Sequence, residues 1–252
     1  MINKEQILNS IFFPRKSTIP KDENDTLIQV DENTHIGIRR FIKNKSCDTI
    51  IFFHGNGEIA QDYTDIATYY NYYDLNLIVA DYRGYGLSNG EPNKENLHSD
   101  SLIIFKHIID FLNVGGYNKK RIIMGRSLGS ASACHIISNQ IDNLDGCILE
   151  SGFATEHCLL ALMGLNDQSI DYKSKDGFEN LKKIQKYKKP LYIIHADLDD
   201  IVPFSQAEVF LLECPSKSKD LFKVSGANHN NIISIARDDY FLNIKKFIDS
   251  IK

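Results

Sequence analysis

Short apolar runs alternate with longer stretches of helical spacing along most of the chain. Six runs of four to seven residues are rich in Ile, Leu and Val, and such runs are typical of strands buried on both faces of a parallel sheet. These runs are residues 49–54, 75–81, 121–125, 146–151, 191–196 and 221–224. Their alternation with helical stretches predicts repeated βαβ units.

The N-terminal pattern differs from the rest. Two strand-like runs, 26–31 and 35–41, are separated by only a short turn-forming segment, which predicts an antiparallel hairpin. Helical spacing covers residues 59–73, 94–112, 128–139, 178–186, 205–213 and 237–251. The combined pattern predicts an α/β fold: a three-layer α/β/α sandwich around a mainly parallel sheet of about eight strands, with an antiparallel N-terminal edge.

One segment interrupts this alternation. Residues 152–175 fit neither the helical nor the strand period, so they form either a small cap over a site or a long surface loop with one or two short helices. No Pro-rich linker or internal repeat divides the chain, and a single α/β domain often reaches this length. We therefore expect one domain over residues 1–252, with a cap insertion at 152–175 as one alternative.

Composition excludes several classes of protein. The chain carries 29 basic and 33 acidic residues, a formal net charge of -4, which offers no electrostatic footprint for nucleic acid. Its five Cys include no C-x-x-C pair, which favours a reducing compartment. The N-terminus lacks a signal-peptide apolar core, and no run approaches the length of a membrane span. We expect a cytoplasmic protein without stable membrane insertion.

The strongest chemical signal is a G-x-S-x-G pattern, in which Ser127 stands between Gly125 and Gly129. It follows the apolar run RIIM directly and opens a helical stretch. A serine at so sharp a turn is strained and exposes its hydroxyl, and small residues on either side prevent clashes between strand and helix. Ser127 is the candidate nucleophile.

A serine hydroxyl needs a base to take its proton, and the base needs an orienting group. Asp197, Asp199 and Asp200 follow the apolar run LYIIHA, at the strand end where open α/β sheets build their sites. His229 comes later, in a Gly-containing loop. The same carboxylates could form a metal site, but no His stands at ligand spacing. We therefore predict no metal and no organic cofactor.

An oxyanion hole is the fourth component that acyl transfer requires. The amide that follows the nucleophile belongs to Leu128. The turn HGNGE after the run 49–54 offers a second amide, from Asn56 in the first place or Gly57 in the second.

Other residues near these motifs have more ordinary interpretations. His54 and His195 stand at strand ends, where a hydrogen bond to a neighbouring loop is the usual role. Arg126, beside the nucleophile, could bind an anionic substrate group, but a salt bridge to an acidic loop is the favoured interpretation. The Gly84, Gly86 and Gly90 spacing does not match a dinucleotide-binding pattern.

The motifs HGNGE, DYRGYGLSNGEP, GRSLGS, HADLDDIVP and GANHNNI together resemble the α/β-hydrolase superfamily, in particular the compact serine hydrolases that include α/β-hydrolase-domain protein depalmitoylases. The similarity covers roughly residues 25–252. The resemblance implies that Asp199 is the acid, and Ala196 stands where the family usually has Gly. Depalmitoylases of this kind carry a Cys-rich lipidated N-terminus, whereas the first Cys here is Cys47, so membrane targeting is not expected.

The expected activity is hydrolysis of a carboxylic ester through an acyl-enzyme on Ser127, with a small-molecule acyl ester or thioester as substrate. A thioesterase or peptidase would use the same three residues and remains an alternative. A noncatalytic binding protein of the same fold is the alternative from another class.

Overall fold

Eight strands form one sheet among the residues that the computed structural model describes, which are 9–139, 142–165 and 173–252. In chain order they are β1 (Asp25–Gln29), β2 (His35–Phe41), β3 (Asp48–Phe53), β4 (Leu75–Ala80), β5 (Arg121–Arg126), β6 (Gly146–Glu150), β7 (Leu191–Ala196) and β8 (Lys219–Val224). Their order across the sheet is β1-β2-β4-β3-β5-β6-β7-β8.

The sheet is parallel from β4 to β8, and the predicted antiparallel edge is confirmed. β1 and β2 form a hairpin in which Thr26 pairs with Ile38, and β2 then pairs antiparallel with β4. The parallel pairs place the carboxyl ends of β3, β5 and β7 along one edge, so the loops that follow these strands meet there.

Helices cover both faces of the sheet. Within the described ranges the α-helices are α1 (Thr64–Tyr72), α2 (Lys94–Gly115), α3 (Gly129–Ser138), α4 (His157–Leu162), α5 (Asn180–Ile184), α6 (Ser205–Glu213), α7 (Ile232–Ala236) and α8 (Asp238–Ser250). α2, α3 and α6 pack on one face, against a layer that includes Ile51 and Phe53. α1 and α8 pack on the other, against Ile50 and Phe52. Alternate residues of β3 thus enter opposite cores, and the predicted three-layer α/β/α fold is confirmed.

Several predicted boundaries shift. The helix expected at 59–73 is a 3₁₀ turn, Ala60–Tyr63, followed by α1, and the Asp62 carboxylate accepts the Ile59 amide at its start. The strand expected at 221–224 begins at Lys219, because an edge strand with an exposed face accommodates polar residues. The helix expected at 178–186 shortens to α5, after Glu179 in the left-handed region with φ of 52°.

The segment 152–175 is described only in part, because residues 166–172 lie outside the described residues. Its described part contains α4 and the 3₁₀ turn Ser174–Asp176. Whether the segment forms a cap stays a prediction. In the described part of the chain, no helix combines the length and apolar character that crossing a bilayer requires.

Candidate active site

Ser127 occupies the sharp turn between β5 and α3. Its φ of 49° lies in the left-handed region, which is strained for a residue with a side chain, and its amide donates to the Glu150 carbonyl at 2.8 Å. A Cβ at Gly125 would lie 2.4 Å from the carbonyl oxygen of Gly129, and one at Gly129 would lie 2.0 Å from that of Phe53. The two glycines of the motif are therefore required by the close approach of β5, α3 and β3.

The structure brings Ser127, His229 and Asp199 together. His229 Nε2 lies 3.1 Å from Ser127 Oγ, and His229 Nδ1 lies 2.8 Å from Asp199 Oδ2 and 3.0 Å from Oδ1. Because the carboxylate only accepts, His229 Nδ1 carries the proton and Nε2 is left to accept the serine hydroxyl. Ser127 is 6% exposed and His229 is 4% exposed, so bulk water has little access to either bond. This arrangement can transfer the serine proton to the histidine.

The loop after β7 fixes the carboxylate of Asp199. The amides of Ile201 and Val202 donate to Oδ1 at 3.0 and 2.7 Å. Burial opposes ionisation, but the hydrogen bond from His229 and the Val202 amide hold the pKa of Asp199 below its ordinary value. His195 Nε2 donates to the Val202 carbonyl at 2.8 Å and so supports this loop from behind. Of the three candidate aspartates, only Asp199 reaches His229, since Asp197 accepts the Gly226 amide.

The candidate oxyanion amides near Ser127 have no protein acceptor in the described part of the chain. Within the described residues, neither Leu128 nor Asn56 donates its amide to any protein acceptor, and the same holds for Gly57. The side chain of Asn56 binds other parts of the protein: its Oδ1 accepts from the Phe13 amide at 2.9 Å and from Tyr85 Oη at 2.7 Å.

The N-terminal segment thereby becomes part of the site, which the sequence did not indicate. Asn56 Nδ2 donates to the Ile11 carbonyl, so the Asn56 side chain binds the backbone of both Ile11 and Phe13. Tyr85 Oη also accepts the Phe13 amide at 2.8 Å. Apart from the apolar character of residues 11–13, no sequence signal points to this role.

A cavity of about 450 Å³ opens beside Ser127 and His229. The apolar part of its wall comes from the N-terminal segment, from α4 and its C-terminal end, and from the Asp199 loop: Ile11, Phe13, Leu159, Leu162, Met163 and Ile201. Phe13 is 65% exposed and Leu162 is 58% exposed, so the mouth of the cavity is apolar as well. Such a wall fits a hydrocarbon chain better than a charged group.

The remaining candidates have structural partners. His54 Nε2 lies 3.1 Å from Asp81 Oδ1, and its Nδ1 lies 2.7 Å from the Gly55 carbonyl, so it supports the turn before Asn56. Arg126 pairs with Glu58 and Glu150, which confirms the salt-bridge interpretation. Within the described ranges, no group of three or more His, Cys, Asp or Glu side chains is arranged to hold a metal ion.

Sequence relatives agree with this fold. A family model described as serine aminopeptidase, S33, matches residues 44–165, just under half of the chain. A protein of Saccharomyces cerevisiae, described as an uncharacterised membrane protein, is 29% identical over 247 residues, which cover 95% of this chain and 84% of the relative. The α/β-hydrolase domain-containing protein 17C of Xenopus tropicalis is 29% identical over 207 residues. That match covers 79% of this chain but only 61% of the frog protein.

Solved structures match over nearly the whole chain. An esterase of Pyrococcus furiosus superposes with a TM-score of 0.75 at 18% identity, covering 94% of this chain and 98% of the esterase. The mouse α/β-hydrolase domain-containing protein 10 gives a TM-score of 0.69 at 16% identity, covering 89% and 98%. At these identities the likeness concerns the fold alone.

Strand order, helices on both faces and the serine turn between β5 and α3 define an α/β-hydrolase fold. The chain has this fold, and in sequence it is similar to an α/β-hydrolase domain-containing protein and, over residues 44–165, to the family described as serine aminopeptidase, S33.

Proposed function

We propose that the protein is a serine hydrolase that cleaves carboxylic esters by acyl transfer to water. The observation that carries this proposal is the hydrogen-bonded chain from Ser127 Oγ through His229 to Asp199, at the edge of an apolar cavity. The three residues come from three separate loops, and their joint geometry has no evident structural purpose. Strain at Ser127, with its φ of 49°, is also typical of a functional turn.

The proposed reaction follows from this geometry. Ser127 Oγ attacks the ester carbonyl carbon while His229 Nε2 takes the hydroxyl proton, and Asp199 stabilises the imidazolium that forms. The amides of Leu128 and Asn56 stabilise the negative oxygen of the tetrahedral intermediate. His229 then gives its proton to the leaving alcohol, which leaves an acyl group on Ser127. Water, deprotonated by His229, hydrolyses that acyl-enzyme and restores the serine.

The substrate class follows from the cavity. Its wall of Ile11, Phe13, Leu159, Leu162 and Met163 suits the acyl chain of a small-molecule ester or thioester. A peptidase acting at an amino terminus would need a free carboxylate near the serine, whereas Glu58 and Glu150 are paired with Arg126 and Asp199 is bonded to His229. We therefore favour an ester over a peptide. The cytoplasmic location stays a prediction.

The test is labelling of the folded protein by a fluorophosphonate, followed by intact mass. A single adduct on the wild type and none on Ser127→Ala is the expected result, because only a serine beside a base reacts. Ser130→Ala, which removes a buried hydroxyl three residues on, is the matched control and should label as the wild type does. A folded wild type that forms no adduct would contradict the proposal and favour a noncatalytic binding protein.

Phe13→Ala should reduce selectivity for long acyl chains. Phe13 lines the mouth of the cavity and is 65% exposed, so a long chain would cover it and a short one would not. Loss of about 1 kcal/mol of apolar contact predicts a fall in kcat/KM of about fivefold for p-nitrophenyl octanoate. The rate on p-nitrophenyl acetate should not change.

Leu212→Ala is the control for this experiment, because Leu212 is also exposed but lies on α6, away from the cavity. Equal losses on both esters in the Phe13 variant would mean that the N-terminal segment supports the site as a whole and does not select the acyl chain.

A further inference from the structure

The side chain of Arg126 is engaged at all three of its nitrogens. Nη2 donates to the backbone carbonyl of His229 at 2.8 Å, Nε donates to Glu150 Oε1 at 3.2 Å, and Nη1 donates to Glu58 Oε1. Only 13% of the side chain is exposed. Nη2 also faces Asn230 Oδ1 at 3.5 Å, so four of the five N–H donors have a protein acceptor and no pair is left for a substrate anion. The guanidinium links the strand that precedes Ser127 to the loop that carries His229.

Two cavities flank the His229 loop. The cavity of about 450 Å³ lies on one flank, and a second cavity of about 390 Å³ also borders both His229 and Asn230. Side chains in proteins are normally fixed by close packing, which two adjoining cavities cannot supply. Asp199 holds the imidazole itself at Nδ1, and the hydrogen bond from Arg126 to the His229 carbonyl adds a restraint on the backbone that carries the imidazole.

The same guanidinium also reaches the turn after β3. Glu58, which pairs with Arg126, accepts the Gly55 amide at 2.7 Å and the Tyr63 hydroxyl at 2.6 Å through its other oxygen. These bonds fix the turn that carries Asn56, the candidate oxyanion amide. The His229 loop and the turn at residues 55–58 must both face the carbonyl group of the substrate, and both are bound by the side chain of Arg126.

We propose that Arg126 is a positioning residue that holds His229 within reach of Ser127 and sets the His229 loop against the turn at residues 55–58. The proposal rests on the proposed hydrolase function. Arg126 acts through His229 and Glu58 and does not contact the reacting atoms. Its removal should lower kcat by about 100-fold, the effect of a displacement of about 1 Å in a reacting group, while KM changes little.

The test uses a double variant that keeps the net charge of the wild-type group formed by Arg126, Glu58 and Glu150. Arg126→Ala alone leaves two carboxylates unpaired and is at risk of unfolding, so it is made in a Glu150→Gln background. Glu150→Gln by itself is the reference. Rates on p-nitrophenyl acetate are measured with and without millimolar guanidinium chloride, with urea and sodium chloride as controls, and Arg126→Lys is assayed beside them.

The expected result is a kcat loss that guanidinium restores in part and that urea and sodium chloride do not. Arg126→Lys should recover some activity, because one ammonium can reach one of the three acceptors. A stability defect would not respond in this way, since guanidinium weakens folded structure.

Two outcomes would overturn the proposal. One is a double variant that turns over as fast as Glu150→Gln, and the other is a lost rate that guanidinium leaves unchanged. Fluorophosphonate labelling of the wild type at Ser127 separates these results from a failure of the proposed function. If the wild type is labelled, only the positioning role of Arg126 is contradicted. If it is not labelled, both that role and the proposed hydrolase function are contradicted.

Discussion

Ser127→Ala and His229→Ala should each lower kcat for ester hydrolysis by at least about 10⁴-fold, and the double variant should lose no more than either. The reason is that the two groups perform one step together. Without Nε2 at 3.1 Å, Ser127 keeps its proton and is a poor nucleophile, and without Oγ the histidine has no proton to take. The measurement is steady-state hydrolysis of p-nitrophenyl butyrate by the two single variants and the double variant.

His98→Ala is the matched control for the histidine change. His98 is partly buried, lies on α2 and stacks on His135 at 4.3 Å, away from Ser127. Its removal should leave kcat within about twofold, since no group of the proposed reaction contacts it. If the losses in the Ser127 and His229 variants multiplied in the double variant, the two residues would not form one unit.

Local sequence signals sufficed to single out Ser127 and His229, which the structure brings within 3.1 Å of each other. Ser127 stands between glycines, directly after an apolar run, and each glycine is needed because a Cβ there would meet backbone. A site that excludes any side chain requires a glycine, and such a glycine can be found in the sequence without the fold. His229 was predictable for a similar reason, since it lies in a Gly-containing loop that follows a strand.

The supports of the site were less predictable, because they join distant residues. Arg126 pairs with Glu58 and with Glu150, which stand in different loops and strands, and no spacing rule connects them. The Asn56 side chain binds the backbone at Ile11 and Phe13, and backbone contacts place no demand on residue type. Contacts of these two kinds follow only from the packed fold.

The secondary-structure elements likewise differ in how well the sequence predicts them. The strands buried on both faces were predicted nearly to the residue, because apolar content marks them. The helix expected from residue 237 corresponds to α8, whereas α7 lies before it, outside every predicted helix, and ends at Arg237, which has a φ of 48°. A non-glycine residue in that conformation is held there by its surroundings, so the local sequence does not predict the break.

Asp199→Asn should lower kcat by about 10⁴-fold while leaving the fold intact. The two oxygens of Asp199 have different partners: Oδ1 accepts the amides of Ile201 and Val202, and Oδ2 is nearest to His229 Nδ1 at 2.8 Å. An asparagine must therefore place its oxygen at Oδ1 and turn its NH₂ group to the histidine. That group donates to Nδ1 and drives the imidazole proton to Nε2, which can then no longer accept the proton of the serine hydroxyl.

Asp197→Asn is the control, because Asp197 is the neighbouring aspartate and its oxygen accepts the Gly226 amide, a bond that asparagine can keep. Its kcat on p-nitrophenyl butyrate should remain within about threefold of the wild type. A large loss in the Asp197 variant with a small one in the Asp199 variant would reassign the acid.

Burial opposes ionisation of Asp199, but its hydrogen bonds keep its pKa below the ordinary value, so the carboxylate is charged throughout the neutral range. The contrast between the two variants should consequently hold across neutral pH, and its disappearance at any neutral pH would show that the charge of Asp199 is not what orients His229.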